Sequence, residues 1–101
     1  MPDGMEAPPP GITPLHLAGW TGNAEAGRAL LGTGQVHVNF RDQYGNTALH
    51  YASLRGKTDF LKMCIEFNAD VLIPNNANEL ILEVAQTGRL SLRPAEGAAE
   101  A

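Results

Sequence analysis

Three histidines and one cysteine are the side chains of this 101-residue sequence best suited to nucleophilic or metal-binding chemistry. Cys64 with a histidine would make a nucleophilic pair, or part of a zinc site. A single cysteine forms no internal disulfide and excludes a four-cysteine zinc centre. Cys64 also lies in an apolar stripe beside Ile65, which favours a buried, inert thiol. His37 falls in a connecting segment and reads as exposed and without function. The carboxylates are scattered. Asp42 and Asp70 lie between helical stretches, while Glu25 and Asp59 sit in first turns, where acids complement the helix dipole. Gly32-Thr33-Gly34 lacks the lysine and the spacing of a phosphate loop. His16 and His50 share a local context, each three residues past a threonine that opens a helix, and both read as structural. No catalytic constellation emerges, and no enzyme activity, metal or cofactor is expected.

The length allows one small domain. Apolar residues make up 44% and charged residues 18%, a globular balance that argues against disorder throughout. The net charge of −4 makes nucleic acid a poor partner, because phosphate contacts need a basic surface. The first ten residues, MPDGMEAPPP, have no positive segment followed by an apolar one, so they do not read as a secretory signal. No run approaches the roughly 18 apolar residues of a membrane helix. The expectation is a soluble intracellular monomer, in cytoplasm or nucleus, with no membrane contact.

Positioning His16 and His50 requires helices, and the pattern supplies them twice. Thr13-Pro14-Leu15-His16-Leu17-Ala18 returns 34 residues later as Thr47-Ala48-Leu49-His50-Tyr51-Ala52. Gly22 and Gly56 return at the same offset. In each copy threonine is an N-cap, proline or alanine opens the helix, and glycine takes the left-handed stop. A second helix follows. In the middle copy it runs from Thr58 to Phe67, with Phe60, Leu61, Cys64 and Ile65 as its apolar stripe and Asn68 as its stop. A worn third copy is read from Glu79 to Val84, with Gly88 as its stop and Pro74 in the place of Asp42. Residues 1–10, rich in proline, read as an extended leader, and 94–101 as a frayed tail.

Helix, turn, helix and extended return at about 33 residues resembles the ankyrin repeat. Gly11-Ile12-Thr13-Pro14-Leu15-His16-Leu17-Ala18 is similar to the family's G-x-T-P-L-H-x-A, and Asp42-Gln43-Tyr44-Gly45-Asn46-Thr47 to its D-x-x-G-x-T. The resemblance implies an all-α solenoid over residues 11–93, with repeats at about 11–41 and 42–74 and a partial one at 75–93. It also implies that His16 and His50 tie repeats together through backbone groups, and that the chain binds proteins. Val38-Asn39 matches a position that hydroxylases modify in such repeats.

The departures are an insertion near Gln35-Val36-His37, Gly27 inside a helix, a second copy read as one residue short, and Pro94 within a turn of Leu90. An array of two repeats and part of a third is expected to be marginally stable, or a shortened section of a longer array. By resemblance, partner-contacting positions are those around D-x-x-G-x-T and before the helix-ending glycine. These are Ile12, Trp20 and Thr21 in copy one and Arg41, Gln43, Tyr44, Asn46, Leu54 and Arg55 in copy two. Copy three adds Asn75, Asn76, Asn78, Gln86 and Thr87. Trp20, Tyr44, Arg41 and Arg55 are of types enriched at interface hot spots. On this reading Trp20 lies on the open surface; alternatively Trp20 and Leu54 pack on each other or under the leader.

Overall fold

A computed structural model describes residues 7–95. The leader residues 1–6 and tail residues 96–101 lie outside the described part, so the expectations for them concern residues beyond it. Five helices follow one another, with no strand among the described residues. They are α1 (Pro14–Thr21), α2 (Ala24–Gly32), α3 (Ala48–Arg55), α4 (Thr58–Glu66) and α5 (Ile81–Thr87).

The local signals explain the helix ends. Thr13 accepts the His16 amide at 3.3 Å, Pro14 opens α1, and Gly22 ends it at φ +80°. Asn23 caps α2 by accepting from the Ala26 amide at 3.0 Å. Gly56 ends α3 at φ +69° and Gly88 ends α5 at the same angle. Asn68 adopts φ +65°, the left-handed stop expected after α4.

The helices form two layers. α1, α3 and α5 pack side by side, and α2 and α4 pack against each other behind them. Between the layers lies the main core: Leu15 and Ala18 from α1, Leu31 from α2, Leu49 and Ala52 from α3, and Phe60, Met63 and Cys64 from α4. Part of the expected α4 stripe is corrected here. Met63 is buried, and Ile65 is 54% exposed. α4 meets α2 and α3, and the 3.6-residue period puts positions 60, 63 and 64 toward both, with position 65 rotated about 100° beyond.

Gly27 is also explained. It is buried where α2 crosses α4, and a Cβ there would come within 2.6 Å of Met63 Cε and 2.7 Å of Phe60 Cε1. The missing methyl lets the two outer helices approach. Gly32, at the end of the same helix, has nothing within 4 Å of such a position. One exposed ion pair, Arg28 to Glu66 at 3.0 Å, also joins the outer helices, and pairs of this kind contribute at most about 1 kcal/mol.

The third copy is in a different register from the one read in the sequence. Leu80, not Glu79, stands at the N-cap of α5. Asn75, not Pro74, takes the place of Asp42. Asp42 Oδ1 accepts the amides of Tyr44 and Asn46, and Asn75 Oδ1 accepts those of Ala77 and Glu79. The spacing from Asp42 to Asn75 and from Thr47 to Leu80 is therefore a regular 33. The missing residue belongs to α5, whose seven residues are one fewer than in α1 or α3.

Gly27→Ala is expected to destabilise the fold by about 1–3 kcal/mol despite the better helix propensity of alanine. Gly32→Ala, in the same helix without the collision, is expected to stabilise it by up to about 1 kcal/mol. Urea melts of the two variants beside the parent chain check both signs.

Candidate functional site

The inner helices alternate with two tight turns, Asp42–Asn46 and Asn75–Glu79. Each is closed by a backbone pair: Asp42 N–H donates to Asn46 O at 2.9 Å, and Asn75 N–H to Glu79 O at 3.1 Å. Gly45 turns the first at φ +76°, and Asn78 turns the second at φ +62°. A Cβ on Gly45 would meet Asn76 Oδ1 at 2.5 Å and its amide at 2.7 Å. Glycine therefore serves both the φ angle and the contact between turns. Asn76 N–H donates to Tyr44 O at 3.0 Å, and its carboxamide to Gln43 O at 3.0 Å. Gln43 Nε2 in turn donates to Pro10 O at 3.0 Å.

His16 and His50 are fully buried and bind these turns to the helices. His16 Nε2 faces Asn46 O at 2.9 Å and Phe40 O at 3.1 Å, so it must carry the proton. Its Nδ1 then accepts from the Thr13 hydroxyl. His50 Nε2 donates to Glu79 O at 2.9 Å, and its Nδ1 accepts the Thr47 amide at 3.1 Å. Each imidazole thus connects a helix to the next repeat's turn, as the resemblance implied. Asn46 and Tyr51 complete the buried network. Asn75 Nδ2 donates to Asn46 Oδ1 at 2.8 Å, Asn46 Nδ2 to Tyr51 Oη at 3.3 Å, and Tyr51 Oη to Asp42 Oδ2.

Burial pulls both histidines below the ordinary imidazole value. Neighbouring acids and carbonyl acceptors act in the opposite sense and are outweighed. Burial, reinforced by the bond to Asp42, pushes the Tyr51 phenol far above its usual value, so Tyr51 stays a donor. Burial raises the Cys64 thiol to about 12, which removes the thiolate that nucleophilic chemistry requires. Among the described residues no cluster of three or more His, Cys, Asp or Glu side chains could hold a metal.

The expected contact residues separate into two groups. Trp20 and Asn46, expected on the open surface, are buried: Trp20 is 2% exposed and Asn46 fully enclosed. Trp20 packs with Tyr51, Val84 and Leu90, with Ile12 and Leu54 at the margin, which corresponds to the packing alternative in the sequence. Its indole is large enough to span from α1 to α3, with ring centroids of Trp20 and Tyr51 6.0 Å apart. The guanidinium of Arg55 lies 4.8 Å from the Trp20 ring centre, and its Nε donates to Trp20 O at 3.3 Å. Thr21, Arg41 and Gln43 are exposed, and Tyr44, Leu54 and Arg55 half-buried. Arg41 links the two turns by donating to Gly45 O and Pro74 O, both at 3.2 Å. Of the third copy, Asn75 is buried, Asn76 is tied into the turns, and Asn78, Gln86 and Thr87 are exposed. Asn39 holds the Asp70 amide at 2.7 Å.

Sequence reasoning missed Leu90 and Glu79. Pro94, within a turn of Leu90, leaves no room for a helix there, yet Leu90 is buried against Trp20 and Val84 in a segment without regular structure. Glu79 accepts from Asn75 Nδ2, the Ser91 amide and the Ser91 hydroxyl. Burial alone would raise its carboxyl, but the bonds from Asn75 and Ser91 outweigh that and hold it below the ordinary carboxylate value. A leucine close before a proline was the only sequence signal of this segment.

Paired helices in two layers, linked through buried histidines to turns 33 residues apart, define an ankyrin-repeat architecture. The chain belongs to that family: the family described as "Ankyrin repeats (3 copies)" matches residues 3–88. It is 39% identical over 76 residues to palmitoyltransferase ZDHHC17 of Danio rerio, covering 74% of this chain and 12% of that protein. It is 38% identical over 75 residues to the Homo sapiens palmitoyltransferase ZDHHC17, covering 73% and 12%. It is 40% identical over 58 residues to the transient receptor potential cation channel subfamily A member 1 of Homo sapiens, covering 57% and 5%. The chain thus spans about an eighth or less of the relatives it matches. Ankyrin repeats are in general non-catalytic modules that bind proteins.

The two histidines give the fold a defined pH response. They are neutral when folded and, once unfolded, take up protons near pH 6.5. Their contribution to stability is complete above that value and is lost as pH falls through it toward their lowered folded values. Between pH 7.5 and 5.5 the urea midpoint is expected to fall, each imidazole contributing a slope of up to about 1.4 kcal/mol per pH unit. A midpoint unchanged over this range would contradict the buried neutral tautomers.

Proposed function

We propose that this chain is a protein-interaction module, acting as an adaptor, inhibitor or regulatory subunit inside the cell. Its partner surface is the concave side formed by the turns and the inner helices. One observation carries this reading: the inner helices and turns present a face whose buried polar side chains are all bonded within the fold, with Tyr44, Leu54, Arg55 and Thr21 at its margin. Arg41 and Gln43 contribute what remains of their surface after bracing the turns. The negative net charge favours a protein partner over nucleic acid. The names of the similar proteins indicate different activities, which fits a shared binding unit placed in different proteins.

A second reading is favoured by the apolar groove at the α5 end, lined by Leu61, Val71, Leu72, Leu80, Ile81 and Leu82. Leu72 is 71% and Leu82 65% exposed there. In a stacked array this is where a further helix pair would pack. On this reading the chain is one section of a longer array without activity of its own.

Affinity capture on the immobilised chain, repeated with Tyr44→Ala and Leu54→Asp, tests the first reading. A protein held by the parent is expected to bind each variant about tenfold or more weakly, with the far-UV circular dichroism unchanged. Equal retention by both variants would move the partner surface elsewhere. A shallow, non-cooperative urea melt of the parent would favour the second reading.

A further inference from the structure

After Gly88 no third outer helix follows among the described residues. The chain crosses the inner layer instead, without regular structure, over residues 89–95. Leu90 is buried among Trp20 of α1, Tyr51 of α3 and Val84 of α5. None of these three belongs to the core between the layers. They form the opposite face of the inner helices, the side on which the turns stand. Next to Leu90, Ser91 bonds Glu79 twice: its amide donates to Oε1 at 3.0 Å and its hydroxyl to Oε2 at 2.8 Å. Two residues on, Arg93 O accepts from Asn76 Nδ2 at 2.9 Å, a donor on the second turn. Residues 90–93 therefore lie between the turn and the helices as an extended peptide. They present one apolar anchor, two donors to the Glu79 carboxylate and one backbone acceptor.

We propose that this face is a binding site for an extended peptide carrying leucine followed by serine or threonine, and that Leu90–Arg93 occupies it in cis as a displaceable ligand. This rests on the interaction reading above and specifies its ligand. Three features of the site fix the chemistry. The Trp20, Tyr51 and Val84 surfaces take an apolar side chain, here that of Leu90. Glu79 takes a hydroxyl and an amide from the next residue. Asn76 takes a carbonyl two residues beyond. The segment is held lightly: Leu92 is partly exposed, and residues 91–95 are otherwise at the surface. A segment with so few buried contacts opens at lower free energy than the helices beneath it. A partner presenting the same groups would compete for the site, with an apparent affinity reduced by the fraction of time the segment is bound.

The test uses the full chain and a fluorescein-labelled peptide of residues 88–94, Gly-Arg-Leu-Ser-Leu-Arg-Pro, read by anisotropy. Leu90→Ala and Ser91→Ala empty or weaken the site in cis. They are expected to bind the peptide about tenfold and threefold more tightly than the parent, respectively, with a scrambled peptide not bound. Adding Glu79→Gln to Leu90→Ala is expected to weaken that binding about fivefold. Equal affinity for parent and variants, or binding by none of them, overturns the proposal. Loss of helix in Leu90→Ala also overturns it, since a displaceable segment cannot be what holds α3 and α5 together. Hydrogen exchange of the parent chain is an independent check. The Ser91 amide is expected to exchange about 100-fold or more faster than those of α3, and equal protection overturns the proposal. Capture of a protein that Tyr44→Ala abolishes, with no peptide bound by any form, would end this proposal and leave the interaction reading intact.

Discussion

The connection between neighbouring repeats depends on one kind of contact: an imidazole N–H reaching from the start of an inner helix to a carbonyl of the following turn. His16 donates to Asn46 O, and His50 to Glu79 O. Those carbonyls also receive the amides of Asp42 and Asn75, the bonds that close the turns. Without the imidazoles they would keep one partner each in a place shielded from water, where an under-satisfied group is costly. The histidines thus set the distance from helix to turn. Everything built on the turns follows from it: the Asn46–Tyr51–Asp42 network, the contact of Gly45 with Asn76, and the concave face itself. No buried side-chain polar atom among the described residues lacks a partner.

Much of this could be read from the sequence, and the reasons differ from residue to residue. Thr13, Pro14, Gly22, Thr47 and Gly56 were informative because caps and left-handed stops depend on a few neighbouring atoms. The histidine role was legible through the family resemblance, and the geometry gives its physical content. Trp20 was misplaced because the helical period specifies a face without saying what covers it. Here the covering residue, Leu90, lies 70 positions away, in the degenerate third copy and within a turn of Pro94. Asn46 was misplaced because a polar residue in a turn normally faces water. Its burial depends on Asn75, whose own role was hidden by the shift of one residue in the third copy. Met63 and Ile65 exchanged places for a similar reason: which side of an apolar stripe is buried depends on Gly27 in a different helix.

The two layers differ in how they treat small residues. On the outer side, Gly27 allows α2 and α4 to close around Phe60 and Met63. On the inner side, Gly19 lies against α3, where a Cβ would meet Ala48 O at 2.7 Å. Close approach at these two points accounts for how short helices of seven to nine residues bury a continuous core. Isolated helices of this length would not persist in water, so each depends on its neighbours for its own existence.

Cys64 sits in the middle of this dependence. It is the sole thiol, has no accessible surface, and its proton is held to about pH 12. An alkylating reagent at neutral pH meets neither the sulfur nor its reactive form while the layers are closed. Because α4 cannot release Cys64 without parting from α2 and α3, labelling of this one atom keeps time with the separation of the two layers. The chain therefore carries its own clock for opening, readable in a mixture by the mass of a single adduct, with no dye or tag added to the sequence.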